Sequence, residues 1–204
     1  MKDKPRVAVL DYGMGNLRSV AKAFEKVGGE VSILDKPDSE KREALVLPGV
    51  GALEDCVNGL RESGLDEWIR EWIAADRPFF GICLGLQALF DFSEEGDVEG
   101  LGIFPGQVER FRIDSALKVP HMGWNSASFT AEDPFRSDLE DGDQFYFDHT
   151  FHVVPDDSGL IWSTTDYGGP FVSGIRRGNC LATQFHPEKS HVFGMQLLKN
   201  FIAI

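Results

Sequence analysis

Three short runs in the first half of the chain, Val7-Ala8-Val9-Leu10, Ala44-Leu45-Val46-Leu47 and Phe79-Phe80-Gly81-Ile82, carry no polar side chain. A strand with one wet face alternates apolar and polar residues, so a strand without that alternation is covered on both faces. Between these runs the apolar residues recur at helical spacing. Leu17, Val20, Ala21, Phe24 and Val27 form one stripe, which Asn16 would cap and Gly28-Gly29 would end. Residues 31–34 read as another strand. Residues 52–75 read as helical material, with Leu65, Trp68, Ile69, Trp72 and Ile73 as its apolar face. Residues 84–92 read as the helix behind the strand at 79–82. Covered strands alternating with helices specify an α/β domain whose central sheet is mostly parallel and flanked by helices.

The second half follows another rhythm. From about Gly96 short runs alternate with Gly, Pro and Asp, and residues 108–111, 145–147, 160–163, 171–175 and 181–185 read as additional, antiparallel strands. Tyr167-Gly168-Gly169 and Arg177-Gly178-Asn179 read as turns, the second as a hairpin. A last helix is expected from near Ser190, with Val192, Phe193, Met195, Leu197, Leu198 and Phe201 on one broad face. There is no internal repeat and no low-complexity segment. All 204 residues are therefore expected to form a single domain.

Charge and composition remove some function classes. Thirty-three acidic against 20 basic residues give a formal charge of −13, which repels phosphate backbones and argues against nucleic acid as a partner. The apolar run at 7–10 is too short for a signal-peptide core, and no run is long enough to span a bilayer. Cys56, Cys83 and Cys180 match neither a disulfide framework nor a zinc motif. The expectation is a cytoplasmic protein without a metal or another cofactor.

In an α/β sheet, reactive groups sit beyond the carboxyl ends of the strands, where Asp11, residues 49–51 and Cys83 fall. Gly81-Ile82-Cys83-Leu84-Gly85 has the spacing of a nucleophile elbow, a sharp strand-to-helix turn that needs small neighbours and lifts one side chain above the sheet. The helix that follows would aim its amino end, with free N–H groups, at the sulfur. A cysteine between Ile82 and Leu84 also suits a packed core, the role assigned to Cys56 and Cys180. His186-Pro187-Glu188 places an imidazole and a carboxylate two apart in an extended segment, hence on one face. A thiol, a base and a group that orients the base are what covalent acyl transfer requires. Pro48-Gly49-Val50-Gly51 can turn a backbone N–H outward beside the N–H of Leu84, giving two donors for an oxyanion. Asp11-Tyr12-Gly13-Met14-Gly15-Asn16 begins like a dinucleotide loop, but Arg18 stands where the third glycine belongs. His149 and His152 with His186 make too loose a set for a metal, and His121 and His191 carry no further signal.

With these motifs assembled, the chain resembles the class I glutamine amidotransferases of the triad type, and among them the glutaminase subunits of imidazole glycerol phosphate synthases. The resemblance covers nearly the whole chain. It is carried by the segments at 11–16, 47–52, 81–87 and 105–106, by Val119-Pro120-His121-Met122-Gly123-Trp124-Asn125, and by Gln184-Phe185-His186-Pro187-Glu188-Lys189-Ser190. It implies hydrolysis of L-glutamine to glutamate and ammonia through a cysteine thioester. Cys83 would be the nucleophile, His186 the base and acid, Glu188 its orienter, and Gly51 and Leu84 the oxyanion donors. Gln87, Glu95, His149 and Thr150 match positions that bind glutamine. Met122, Trp124, Asn125 and Lys189 match positions that face a (β/α)8-barrel cyclase. That partner would receive the ammonia in a heterodimer and, with lyase chemistry, make imidazole glycerol phosphate in histidine biosynthesis. The family usually reads His-Ser-Tyr where this chain has His149-Thr150-Phe151, keeping the first hydroxyl and losing the second. Two other readings fit the same sheet and elbow: a non-catalytic flavodoxin-like binding or regulatory module, and a stand-alone α/β cysteine hydrolase.

Overall fold

The computed structural model describes residues 4–113, 117–130 and 132–204. The chain begins with β1 (Arg6–Leu10), α1 (Leu17–Lys26), β2 (Glu30–Leu34), β3 (Ala44–Gly49), α2 (Leu53–Ser63), α3 (Leu65–Ala74), β4 (Phe79–Cys83) and α4 (Leu84–Gln87). The second half adds β5 (Phe90–Ser93), β6 (Val98–Glu99), β7 (Phe104–Arg110), β8 (His121–Ser126), β9 (Ser128–Phe129), β10 (Gln144–His149), β11 (Phe151–Pro155), β12 (Ile161–Asp166), β13 (Pro170–Arg177), β14 (Cys180–Thr183) and α5 (His191–Phe201). A 12-stranded mixed sheet runs β2-β1-β3-β4-β14-β13-β11-β7-β5-β6, with β12 and β9 continuing from β13, and β8 and β10 forming a separate ribbon. From β2 to β14 all pairings are parallel, and from β14 through β13 and β11 to β7 they are antiparallel.

The apolar strands are covered twice, as their composition requires. Ala8, Leu10, Leu45, Leu47 and Phe79 enter one core with Leu53, Val57 and Leu60 of α2 and Leu65, Ile69 and Trp72 of α3. Their alternate neighbours Val7, Val9, Val46, Phe80 and Ile82 enter a second core with Val20 and Phe24 of α1 and Leu197, Leu198 and Phe201 of α5. Phe24 meets Phe80 edge-on at 6.5 Å between ring centroids and Phe201 at 6.1 Å, tying α1, β4 and α5 together.

The structure corrects several local expectations. Residues 84–92 are not one helix: α4 is a single turn, and Phe90-Asp91-Phe92-Ser93 is β5, which pairs with β6 and β7. The alternation of aromatic and polar side chains there is a strand signal that the helical reading overlooked. The helical stretch at 52–75 is two helices, divided at Gly64, which has φ +72°. Asn16 occupies the cap position of α1 without a side-chain cap hydrogen bond. On α5, Val192 is 74% exposed and Phe193 also faces outward, so the apolar face is narrower than its composition suggested. The hairpin at 177–179 does form, with Arg177 paired to Cys180 and Gly178 at φ +57°.

Candidate functional site

Three adjacent parallel strands, β3, β4 and β14, deliver Gly49, Cys83 and Thr183 to the same edge of the sheet. Gly49 lies in register with Cys83 across β3 and β4. Cys83 ends β4 with φ 54° and ψ −106°, a conformation that L residues rarely adopt. The neighbouring glycines are required by close approach. A Cβ on Gly81 would stand 2.7 Å from the Gly85 carbonyl oxygen, one on Gly49 would stand 2.5 Å from Leu84 Cβ, and one on Gly85 would run into the Leu47 carbonyl oxygen. The strained turn leaves the sulfur at the floor of a pocket, with Cys83 only 6% exposed. Because α4 is one turn, it brings little macrodipole to bear on the sulfur.

His186 follows β14 and is 2% exposed. Pro187 opens a short 3-10 turn over Pro187–Lys189, and this turn, not an extended strand, folds Glu188 back. His186 Nδ1 donates to Glu188 Oε1 at 2.9 Å, which leaves Nε2 for the sulfur. The second oxygen of Glu188 is buried with no partner among the described residues, so His186 is the group that feels its charge. Burial alone would discharge the ring. The charge and hydrogen bond of Cys83, then those of Glu188, override burial and push His186 up to about 10. The arrangement therefore favours the protonated form of His186.

The pocket above Cys83 has a volume of about 260 Å³ and is lined by Val50, Gly51, Leu84, Gln87, Glu95, Pro120, Asp148, His149, Thr150, Phe151 and His186 besides Cys83. That is room for a small metabolite. A larger open groove of about 810 Å³ between α1 and α5 touches Glu188 but neither Cys83 nor His186, both of which line the smaller pocket. Gly51 has φ +104°, and a Cβ there would run into the Met14 methyl. The loop after β1 thus braces the Pro-Gly-Val-Gly loop. Its Asp11 accepts from the Gly13 N–H at 2.9 Å, closing its own turn. Glu95 accepts from the Leu53 N–H at 3.1 Å, and burial raises its pKa. Gln87 donates to the Phe151 carbonyl at 3.0 Å and to Gln184 Oε1 at 3.1 Å. Gln184 and His121 were missed as site residues. The first sits two residues before His186, where only strand packing was read.

His149 has both ring nitrogens engaged: Nδ1 with the Phe151 carbonyl at 2.8 Å and Nε2 with His121 Nδ1 at 2.9 Å. His121 is stacked on Tyr167 and on Phe147, with centroids 4.0 and 4.6 Å apart. Burial pushes His121 down to about 4. For His149 burial again dominates, the Phe151 carbonyl opposes it, the nearby histidines add to it, and the result is about 3. Both rings are neutral in the folded chain near neutrality, whereas an unfolded histidine takes up a proton near pH 6.5. The unfolded state therefore binds more protons below that pH, so this contribution is complete above about 6.5 and is lost as pH falls toward 4. The urea midpoint is expected to drop between pH 7.5 and 5 by about 1 kcal/mol or more in stability. The drop should be shallower in His121→Phe, which keeps the stacking. Because the raised His186 acts in the opposite sense in parent and variant alike, the difference between them is the readout, and equal drops in the two chains would refute the neutral pair. Among the described residues no group of three His, Cys, Asp or Glu side chains is placed to hold a metal.

The remaining predicted residues lie outside the pocket. Met122 and Trp124, on one face of β8, are 61% and 44% exposed. Trp124 stacks on His191 with centroids 5.0 Å apart and shares a shallow apolar depression with Val192 and Phe193. Lys189 Nζ lies 5.5 Å over the Tyr146 ring. Asn125 donates to the Asp166 carbonyl at 2.9 Å and stands 3.2 Å from His121 Nε2. No helix among the described residues is long and apolar enough to cross a membrane.

Comparison with known proteins bears on this geometry. Residues 8–204 match the family described as Glutamine amidotransferase class-I. The chain is 52% identical over 203 residues to the imidazole glycerol phosphate synthase subunit HisH of Nitrosococcus oceani, covering 97% of this chain and 96% of that one. It is 47% identical over 207 residues to the same subunit of Chromobacterium violaceum, covering 97% of each. Among solved structures, PurLQS from Thermotoga maritima superposes with a TM-score of 0.75 at 22% identity, over 98% of this chain and 97% of that one. A glutamine amidotransferase from Thermotoga maritima gives a TM-score of 0.65 at 19% identity, over 91% of this chain and 77% of that one. At these identities the structural matches speak for the fold alone.

Proposed function

The chain belongs to the class I glutamine amidotransferases, and from that membership we propose the part each residue plays. It is a HisH-like glutaminase whose catalytic triad hydrolyses glutamine in the service of histidine biosynthesis. The finer assignment places Cys83 as nucleophile. Its sulfur anion attacks the side-chain amide carbon of L-glutamine, and the carbonyl oxygen becomes an oxyanion facing the N–H groups of Leu84 and Gly51. The imidazolium of His186 gives its proton to the departing nitrogen, ammonia leaves, and a thioester to Cys83 remains. His186, now neutral, takes a proton from water, whose oxygen attacks the thioester. Glutamate departs as the sulfur anion and the imidazolium are restored. Glu188 keeps His186 in one tautomer throughout. The observation that carries this assignment is the 2.9 Å bond from His186 to Glu188 beside a cysteine on a strained elbow.

Glutamine is assigned to the pocket above Cys83. The free oxygen of Glu95 is placed to pair with the substrate ammonium, and Gln87 Oε1 is the end of that carboxamide left to the ligand. Thr150 and the backbone at His149 flank the same space. The whole described chain is proposed to act as one domain. The ammonia is proposed to pass to a (β/α)8-barrel cyclase seated against Met122, Trp124, Asn125 and Lys189. Exposed apolar residues gathered on one face support that surface. Titration of such a cyclase into the chain should raise ammonia release from glutamine by about 5- to 150-fold, the range of a typical coupling between sites. Trp124→Ala should shift the half-point of that titration by about 30-fold, as for a central aromatic anchor. A flat titration would remove the coupled-subunit reading and leave a stand-alone glutaminase.

A further inference from the structure

We infer that Gln184 is a positioning residue for the Cys83 sulfur, held in its working orientation by hydrogen bonds that extend to Asn125. The inference rests on the assignment of Cys83 as nucleophile. Gln184 is fully buried just past β14, with its N–H on the Ser173 carbonyl at 2.9 Å. Its Nε2 lies 3.6 Å from Cys83 Sγ, and its Oε1 lies 3.1 Å from Gln87 Nε2. A carboxamide has one donor end and one acceptor end, so the bond to Gln87 fixes which end faces the sulfur. Gln87 is itself fixed, since its second Nε2 hydrogen is taken by the Phe151 carbonyl at 3.0 Å.

That carbonyl is a meeting point. From the other side it accepts from His149 Nδ1 at 2.8 Å, and His149 Nε2 accepts from His121 Nδ1 at 2.9 Å. His121 Nε2 then accepts from Asn125 Nδ2 at 3.2 Å. Each ring has a single tautomer consistent with its two partners, so the chain has one arrangement of hydrogens. Its outer end is Asn125 on β8, the strand that also carries Met122 and Trp124. Its inner end is an N–H that a sulfur anion uses far better than a neutral thiol does.

The test is alkylation of the free chain by iodoacetamide, followed cysteine by cysteine across pH. Gln184→Glu keeps the size and turns an oxygen toward the sulfur; Gln184→Met keeps the length and removes the donor. Both should slow Cys83 alkylation at pH 7 by about tenfold or more, the loss expected for one hydrogen bond to a charged group, and move its pH profile upward. Buried Cys56 and Cys180 report in the same sample that the fold is intact. A packing role would lower the unfolding midpoint and leave the Cys83 profile on that of the parent, which overturns the inference. Gln87→Met frees the Gln184 carboxamide to rotate and should slow Cys83 by about threefold. It decides the matter if both substitutions at 184 expose the other cysteines, and a profile matching the parent then counts against the inference. Failure of the underlying assignment looks different: in the parent itself, Cys83 would react no faster than Cys56 and Cys180.

Discussion

Cys83→Ala should lower glutamine hydrolysis by at least about 10⁴-fold, a barrier increase of about 5.5 kcal/mol, with the fold and the binding of the proposed cyclase partner unchanged. In the proposed mechanism, removing the sulfur removes the atom that forms the thioester, and the proposed oxyanion donors are left to act on water alone. His186→Ala should be nearly as damaging, because a nucleophile and its base work as one unit and their losses do not add. The backbone supplies a second, independent readout. At φ 54° and ψ −106°, Cys83 carries strain that alanine shares and glycine relieves. Cys83→Gly should therefore be as inactive as Cys83→Ala yet more stable than it by about 1 kcal/mol, read as a higher urea midpoint. Ammonia release that survives Cys83→Ala would end the amidotransferase mechanism. Equal midpoints for the two variants would show that the elbow stores no strain.

What could be read from residues alone divides along physical lines. The parallel half was legible because its strands lie between two helical layers, and a strand covered on both faces leaves an uninterrupted apolar run. The elbow was legible because close backbone approach permits only glycine at 81 and 85. His186 and Glu188 were legible as a pair through spacing, although a 3-10 turn, and not a strand, brings them together. The helix expected after Cys83 failed because Leu84, Leu86 and Leu89 look helical, while the interleaving of Phe90 and Phe92 with Asp91 and Ser93 decides for a strand. β8 escaped notice because its pattern, with Gly123 at φ +126° in the middle, lacks the apolar alternation of a strand over a core. It is held by pairing with β10. Gln184 and His121 escaped for a related reason: their roles come from partners 97 and 28 residues away, and no local spacing encodes those.

The second large effect concerns the scaffold. Gly85→Ala should destabilise the chain by about 3 kcal/mol or more and take activity with it. The methyl group would be driven into the Leu47 carbonyl oxygen, and its Cβ would also stand 3.2 Å from Leu47 Cγ. Backbone cannot rotate away as a side chain can, so β3 and α4 must separate. The same separation disturbs the packing of Gly81 against Gly85 and the register that sets Gly49 opposite Cys83. Since β3 leads directly into the loop bearing Gly51, the displacement reaches the proposed oxyanion side before it reaches His186, which follows β14. Activity should accordingly fall through kcat even below the unfolding transition, while the His186–Glu188 bond persists. Urea denaturation and steady-state kinetics on the same preparation separate the two effects. A Gly85→Ala chain with the parent's midpoint and the parent's kcat would mean that the strands have room the geometry denies them, and the account of the elbow as a consequence of close packing would fall.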